Sequence, residues 1–252
     1  MPHWLLLILA MGATGALVVV ITRIVRRRGE ASDPSETPDV IEYMTMMIGV
    51  VYAIVLGLAI AGVWEALGEA EETVRTEAQA LHEVSERAQV FPKPVSEAID
   101  ESIDTYVRYV VREEWPRMAE DGQLTERGDQ LLSELRAVVR ESEPRNELQG
   151  QAYAPMLDQV ARADAARTVR GDAAEPAMPP VVWFGLIAGA LVSIGMIFAL
   201  QIRYTRRELT VAGLYCALFV FLLMLIWDMD APFSRGMPVS AEAFLVHFPG
   251  SG

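Results

Sequence analysis

The sequence predicts an all-α integral membrane protein with four transmembrane helices and an extramembrane helical bundle inserted between the second and third. Three observations predict it. Apolar residues concentrate in two blocks, about 4–66 and 179–227, with most of the charge between them. Each block holds two runs long enough to cross a bilayer, whose core of about 30 Å needs roughly 20 apolar residues at about 1.5 Å rise each. The segment between them places apolar residues three and four apart without sustained alternation, which is the pattern of helices and not of strands.

The first span runs from Trp4 to Val25 and is followed by Arg26, Arg27 and Arg28. A secretory signal carries its positive charge before the apolar run. Here the order is reversed, so residues 1–28 read as a retained anchor with a basic stop. Residues 29–42, with two prolines and no apolar periodicity, read as a cytoplasmic linker. The second span covers 43–67. No helix breaker follows it, and Val74, Ala78, Leu81, Val84 and Ala88 continue along one face, so the helix is expected to leave the membrane unbroken and to end near Phe91-Pro92.

Residues 68–178 read as an acidic helical extramembrane domain. Three further amphipathic helices fit it. Val95 to Met118 carries Ile99, Ile103, Tyr106 and Val110; Leu124 to Glu141 carries Leu131, Leu132 and Leu135 and starts about Thr125; Glu147 to Val169 carries Tyr153, Met156 and Val160. With the extension of the second span they make a four-helix unit. Residues 67–178 hold 24 Asp and Glu against 13 Lys and Arg, which is most of the chain's net charge of −13. After a proline-rich hinge, residues 179–228 hold the third and fourth spans, the third opening at Trp183, a residue type that anchors helices at the interface. Residues 229–252 form a C-terminal tail, with Ser240 a candidate helix cap.

Short loops rich in arginine stay in the cytoplasm. Arg23 at the end of the first span is joined by Arg26, Arg27 and Arg28 after it, and Arg203, Arg206 and Arg207 follow the third. Both groups therefore predict a multi-pass protein of the cell membrane with the acidic domain and both termini extracytoplasmic.

Composition narrows the function. The net charge of −13 opposes nucleic acid as a partner, because phosphate binding needs clustered Lys and Arg. The single cysteine, Cys216, makes no disulfide framework, and His3, His82 and His247 show no metal-ligand spacing. The catalytic motifs of hydrolases, nucleotide-binding loops and zinc peptidases are missing, so an enzyme is not expected. No charged residue sits at the middle of any span, which argues against a coupled transporter and leaves room for a pore lined by small or apolar groups.

Three sets of residues are candidate sites. Gly49, Ala53, Gly57 and Ala61 make a small-residue stripe along the second span, and Gly185, Gly189 and Ser193 make another along the third. Such stripes let helices approach closely within a subunit, or face the axis of an oligomer and line a pore. Glu65, Glu69 and Glu72 lie on one face where the second helix leaves the bilayer. They read either as mouth carboxylates that concentrate cations or as a solvated face with Glu72 paired to Arg75. Asp228 and Asp230 end the fourth span, as charges that stop a helix or as ligands for a hard cation such as calcium.

Short pieces in order carry a family resemblance: Gly49 through Tyr52 to Gly57, Val63-Trp64-Glu65, Ala70-Glu71, Glu77-Ala78, Tyr106-Val107, Glu114-Trp115-Pro116, Asp164 to Arg167, Pro180 to Trp183, and Asp230-Ala231-Pro232-Phe233 to Gly236. Over nearly the whole chain they resemble the bestrophin-like bacterial membrane proteins. Bestrophins are pentameric anion channels gated by calcium, so the resemblance implies a homo-oligomer, a pentamer, that passes ions. The chain departs from the bestrophin pattern in two respects. Ser234 and Arg235 separate Pro232-Phe233 from Gly236, and only Glu242 stands where an acidic calcium clasp would follow. Bestrophins also keep the termini and middle region in the cytoplasm, opposite to the orientation the arginines give.

The expected function is an oligomeric, ion-conducting, channel-like protein with the second transmembrane helix near the pore axis and partners limited to lipid bilayer, further copies and ions. On charge alone the mouth favours cations. The alternative is a non-conducting envelope scaffold or sensor whose acidic domain binds partners.

Overall fold

A computed structural model describes residues 39–199, 206–236 and 238–251. The expected first span at 4–25, most of the linker, and Arg23, Arg26, Arg27, Arg28 and Arg203 lie outside the described residues. Every regular element among those described is helical.

Helix α1, Asp39–Ala88, runs for 50 residues. It contains no proline, and its glycines are spread singly, so nothing interrupts the hydrogen-bond ladder. The second span and its amphipathic extension are therefore one helix, as the unbroken pattern implied. It ends where expected: Pro92 precedes α2, Lys93–Tyr109, and Pro94 sits in the first turn, where a missing N–H costs nothing. After α2 come a wide π turn, Val110–Glu114, and α3, Trp115–Asp121, closed by Gly122 in the left-handed region at φ 69°. Helices α4, Glu126–Glu141, and α5, Glu147–Asp172, are capped by Thr125 and Asn146. Helices α6, Pro180–Ala199, and α7, Arg206–Met229, are apolar, and a short α8, Glu242–His247, lies in the tail.

Two described helices, Tyr43–Ala88 and Arg207–Met229, are long and apolar enough to cross a membrane. Four were expected. The first expected span is outside the described residues, and the third begins as α6, which is apolar throughout Pro180–Ala199 and reaches the edge of the described residues.

The chain divides into two units, residues 1–64 with 178–229, and residues 65–177 with 230–252. In the first, Tyr52 organises the packing. Its hydroxyl donates to the Leu186 carbonyl at 2.7 Å, and its ring stacks on Phe219 with centroids 5.2 Å apart. A Cβ at Gly189 would run into that ring, so this glycine is what lets α6 close on α1. Tyr52, Leu56 and Val63 are the buried positions of α1 here, and Leu186 and Ala190 of α6 and Ala212, Cys216 and Ile226 of α7 are buried in the same unit.

In the second unit, the in-phase apolar residues of four helices meet. Val74, Leu81 and Val84 of α1, Ile99 and Ile103 of α2, Leu132 and Leu135 of α4, and Met156 and Val160 of α5 belong to one core. The tail joins it. Phe233, Val239, Phe244 and Phe248 are core residues, and the turn between them is closed by Val239 N–H donating to the Pro232 carbonyl at 2.8 Å, with Gly236 at φ 54°.

The π turn has a sequence cause. Pro116 has no N–H and its ring crowds the carbonyl four residues back. The helix widens there, and the Trp115 N–H bonds to Val110 five residues earlier. Inward positions Tyr106, Val110, Glu114 and Met118 are spaced by four, which drifts off one face of a regular helix; a wider turn restores the alignment.

Candidate functional site

The small-residue face of α1 is the first candidate. Ala53, Gly57 and Ala61 are exposed and Gly49 is half-buried. A Cβ built at Gly49 or Gly57 meets nothing within 4 Å. The described helices of the chain therefore pack on a different side of α1, through Tyr52, Leu56 and Val63. The stripe on α6 behaves differently: Gly189 receives Tyr52 and Ser193 is buried, while Gly185 is open.

Glu65, Glu69 and Glu72 are all exposed. Glu72 accepts from Arg75 Nη1 at 2.9 Å, a pair nearly two-thirds exposed on both sides, and such pairs contribute little to stability. Asp228 is half-buried, in the first unit. Asp230 is buried in the second, with Arg235 Nη1 at 3.9 Å and its backbone carbonyl accepting from Ala177 N–H at 2.9 Å. Among the described residues no three His, Cys, Asp or Glu side chains come together as a metal site.

The most developed polar arrangement is one the sequence reading did not single out, a ladder of charges inside the second unit. Arg170 of α5 is fully enclosed. Its Nε donates to Glu77 Oε2 at 2.8 Å and its Nη2 to Glu77 Oε1 at 3.2 Å, a forked pair across to α1. The same Nη2 reaches Glu114 Oε1 at 2.9 Å, Nη1 lies 3.3 Å from Met118 Sδ, and the guanidinium carbon stands 5.3 Å from the centre of the Trp115 ring. Tyr106 of α2 donates its hydroxyl to Glu77 Oε1 at 2.6 Å.

One helical turn away, Arg167 Nη2 donates to Glu114 Oε2 at 2.6 Å and to the Thr125 carbonyl at 3.0 Å, while Nη1 donates to Asp129 at 2.7 Å. Thr125 donates both its N–H, at 3.1 Å, and its hydroxyl, at 2.7 Å, to Glu114 Oε2. The Thr125 hydroxyl oxygen in turn accepts from Gly128 N–H at 3.2 Å and from the Tyr109 hydroxyl at 3.1 Å. The cap of α4 is therefore fastened to the ladder. Gly128 has a packing reason: a Cβ there would collide with the Glu114 carboxylate and the Arg167 guanidinium.

Two carboxylates, Glu77 and Glu114, face two guanidiniums, Arg167 and Arg170, all four buried. Burial would raise the Glu114 pKa, but Arg170 and Arg167 outweigh it, with the Thr125 hydrogen bond assisting, and hold the carboxyl below its usual value of 4.5. Burial and the Glu77 charge push the Tyr106 phenol well above 10, so it remains a donor. Burial alone would lower the Arg170 pKa, but Glu77 leads a set of partners that keep it charged. The arrangement locks α1, α2, α4 and α5 to one another and offers no nucleophile.

Comparison with known proteins agrees with this architecture. A family model described as the Bestrophin-like domain matches residues 3–244. Among curated proteins none matches by sequence. Several solved structures share the fold. A membrane protein crystallised as a proline-to-alanine variant is 13% identical, with a TM-score of 0.61 over 97% of this chain and 98% of that one. A single-substitution variant of a bacterial bestrophin homologue from Klebsiella pneumoniae is 12% identical, with a TM-score of 0.61 over 98% of both chains. A second variant of that homologue gives 12% identity and a TM-score of 0.60 over 97% of this chain and 98% of that one. At these identities the structures speak for the fold alone, and the family model carries the assignment: matched over almost its entire length, the chain belongs to the bestrophin-like family.

Proposed function

We propose that the protein is an oligomeric, ion-conducting membrane channel in which α1 stands near the pore axis. The observation that carries this reading is the open face at Gly49, Ala53, Gly57 and Ala61. The chain's own described helices use the other side of α1, and a stripe of small residues left open along an apolar helix suits close packing about a symmetry axis. Family membership supports it, since bestrophins, for which the family is named, are ion channels.

In this reading Glu65, Glu69 and Glu72 recur around the axis and give the mouth a negative potential that enriches cations. The test is purification in mild detergent with a mass measurement, followed by planar-bilayer recording. A channel of this kind runs as a multimer and passes current, and Glu65→Gln with Glu69→Gln shifts its reversal potential away from cation preference. A monomer removes the axial pore, and a multimer that passes no current under varied voltage, pH and calcium supports a scaffold instead. Unchanged selectivity in a conducting Glu65→Gln/Glu69→Gln variant removes the carboxylate mouth.

A further inference from the structure

The far end of the tail meets α1 through a pair of imidazoles. His82 of α1 and His247, the last residue of α8, have ring centroids 4.7 Å apart, with planes 25° from parallel. Phe248 stands edge-on to both rings, 6.4 Å from His82 and 6.5 Å from His247. Its N–H donates to the Phe244 carbonyl at 2.8 Å, and Phe244 in turn lies edge-on to Trp115. Both histidines are half-buried, so protons from solvent reach them. Closer to the start of the tail, a groove of about 350 Å³ separates it from α1, lined by Glu71, Val74 and Arg75 on one side and Val239, Glu242 and Val246 on the other. The stacked pair closes the contact beyond this groove.

Neutral imidazoles stack as flat rings, whereas two imidazolium ions at that spacing repel. The charges around the pair are exposed or already engaged. One turn to either side of His82 on α1 stand Ala78, Gln79, Ser85 and Glu86, of which Glu86 is charged and exposed. Glu83 is paired with Arg87 at 3.0 Å. Asp100 of α2 accepts from the Ser85 hydroxyl at 2.6 Å and from the Gln89 amide at 3.3 Å. The other charged residues of α2, against which Pro249–Ser251 packs, are exposed. In the groove Arg75 is paired with Glu72, and Glu71 and Glu242 are exposed, so solvent and salt screen them. Burial, and after it the His82 charge, lowers the His247 pKa from 6.5. A group depressed in the docked state supports docking fully above its ordinary value, and that support is lost as pH falls through the lower docked value.

We propose that His82 and His247 form an acid-released latch: as both rings take up protons below about pH 6.5, their repulsion frees α8 and the turn after it from α1. The latch belongs to the folded bundle and is independent of conduction, so its test stands whether or not the protein passes ions.

The experiment is hydrogen exchange of the detergent-purified full chain, read by mass spectrometry from about pH 7.5 to about pH 4 and corrected for the intrinsic rate at each pH. The peptide covering α8 is compared with one covering α4. Two like charges at this spacing weaken docking by about tenfold or more. Protection of α8 therefore falls by that factor, with a midpoint between about pH 5 and 6.5, while α4 keeps its protection. His82→Phe and His247→Phe each keep a ring in the stack that cannot charge, and each abolishes most of the fall. Protection of α8 that is constant across this window overturns the proposal, as does a midpoint near pH 4, where carboxylates titrate. An undiminished fall in both phenylalanine variants overturns it as well, and so does a parallel loss in α4, which reports opening of the whole bundle. Where a substitution loosens the tail at every pH, the midpoint in the unaltered chain decides.

Discussion

Arg170 is fully enclosed, and a guanidinium taken out of water costs several kcal/mol unless its donors are matched. Glu77 takes the fork, Glu114 and Met118 take further N–H groups, and the Trp115 face covers the plane. Arg170→Met leaves Glu77 buried without its counter-charge, so unfolding of the full chain by denaturant should show a loss of about 3–5 kcal/mol. Adding Glu77→Gln to Arg170→Met should recover part of that loss, a coupling that a mere volume change would not produce. Glu114 adds a pH dependence with a definite sign. Its folded-state pKa is depressed, so its stabilisation is complete above the ordinary value of 4.5 and is lost as pH falls through the lower folded value. Thermal unfolding followed below about pH 4.5 should therefore show a melting temperature that drops with acidification, and less steeply in Glu114→Gln. Some of this ladder was legible. Glu77 stands in phase with Val74 and Leu81, and Arg167 and Arg170 sit three apart on a face otherwise made of Val160, Ala163 and Ala166. Charges in phase with an apolar stripe signal a buried pair. What the sequence hides is the partner, because Glu77 and Arg170 are 93 positions apart and the contact exists only once four helices have packed.

At the level of elements, the end of α1 was legible from Phe91-Pro92 and the start of α4 from Thr125, because those ends carry local chemistry, whereas Asn146, the cap of α5, and Gly122, at a left-handed turn, were not used in the reading. The π turn was missed, although Pro116 is its cause, since a proline says that a helix must adjust and not how. The tail was read as a separate segment because Phe233, Val239, Phe244 and Phe248 lie at spacings that fit neither helix nor strand. They find the core from a turn and one short helix. The two small-residue stripes looked alike in sequence and differ in structure, which makes a paired prediction. Gly189→Ala places a methyl group against the Tyr52 ring and should destabilise the chain itself, read as a lower melting temperature with the oligomer unaltered at low temperature. A Cβ at Gly57 meets nothing within 4 Å, so Gly57→Leu should leave the melting temperature nearly unchanged while reducing the proposed multimer in a mass measurement. If Gly57→Leu assembles normally, the open face of α1 is not where copies meet.

For the molecule as a whole, the remaining physical question is which side of the membrane holds the acidic domain. We propose the extracytoplasmic side, from the arginines around the ends of the segments expected as the first and third spans. The inference is electrostatic: short basic loops resist translocation, whereas a long domain crosses largely regardless of its own charge, so the bundle's acidity casts little vote. Bestrophins keep the corresponding region in the cytoplasm, so family membership and loop charge point in opposite directions, and a labelling experiment separates them. Cys216 is the chain's one cysteine and is buried among apolar residues, so Cys216→Ser gives a background with no thiol. Glu143→Cys then places a thiol at an exposed position between α4 and α5. A membrane-impermeant maleimide added to intact cells should label this variant as fully as it does after lysis. Labelling that appears only after lysis places the bundle inside. In that case Glu65, Glu69 and Glu72 would stand at the inner mouth of the proposed pore.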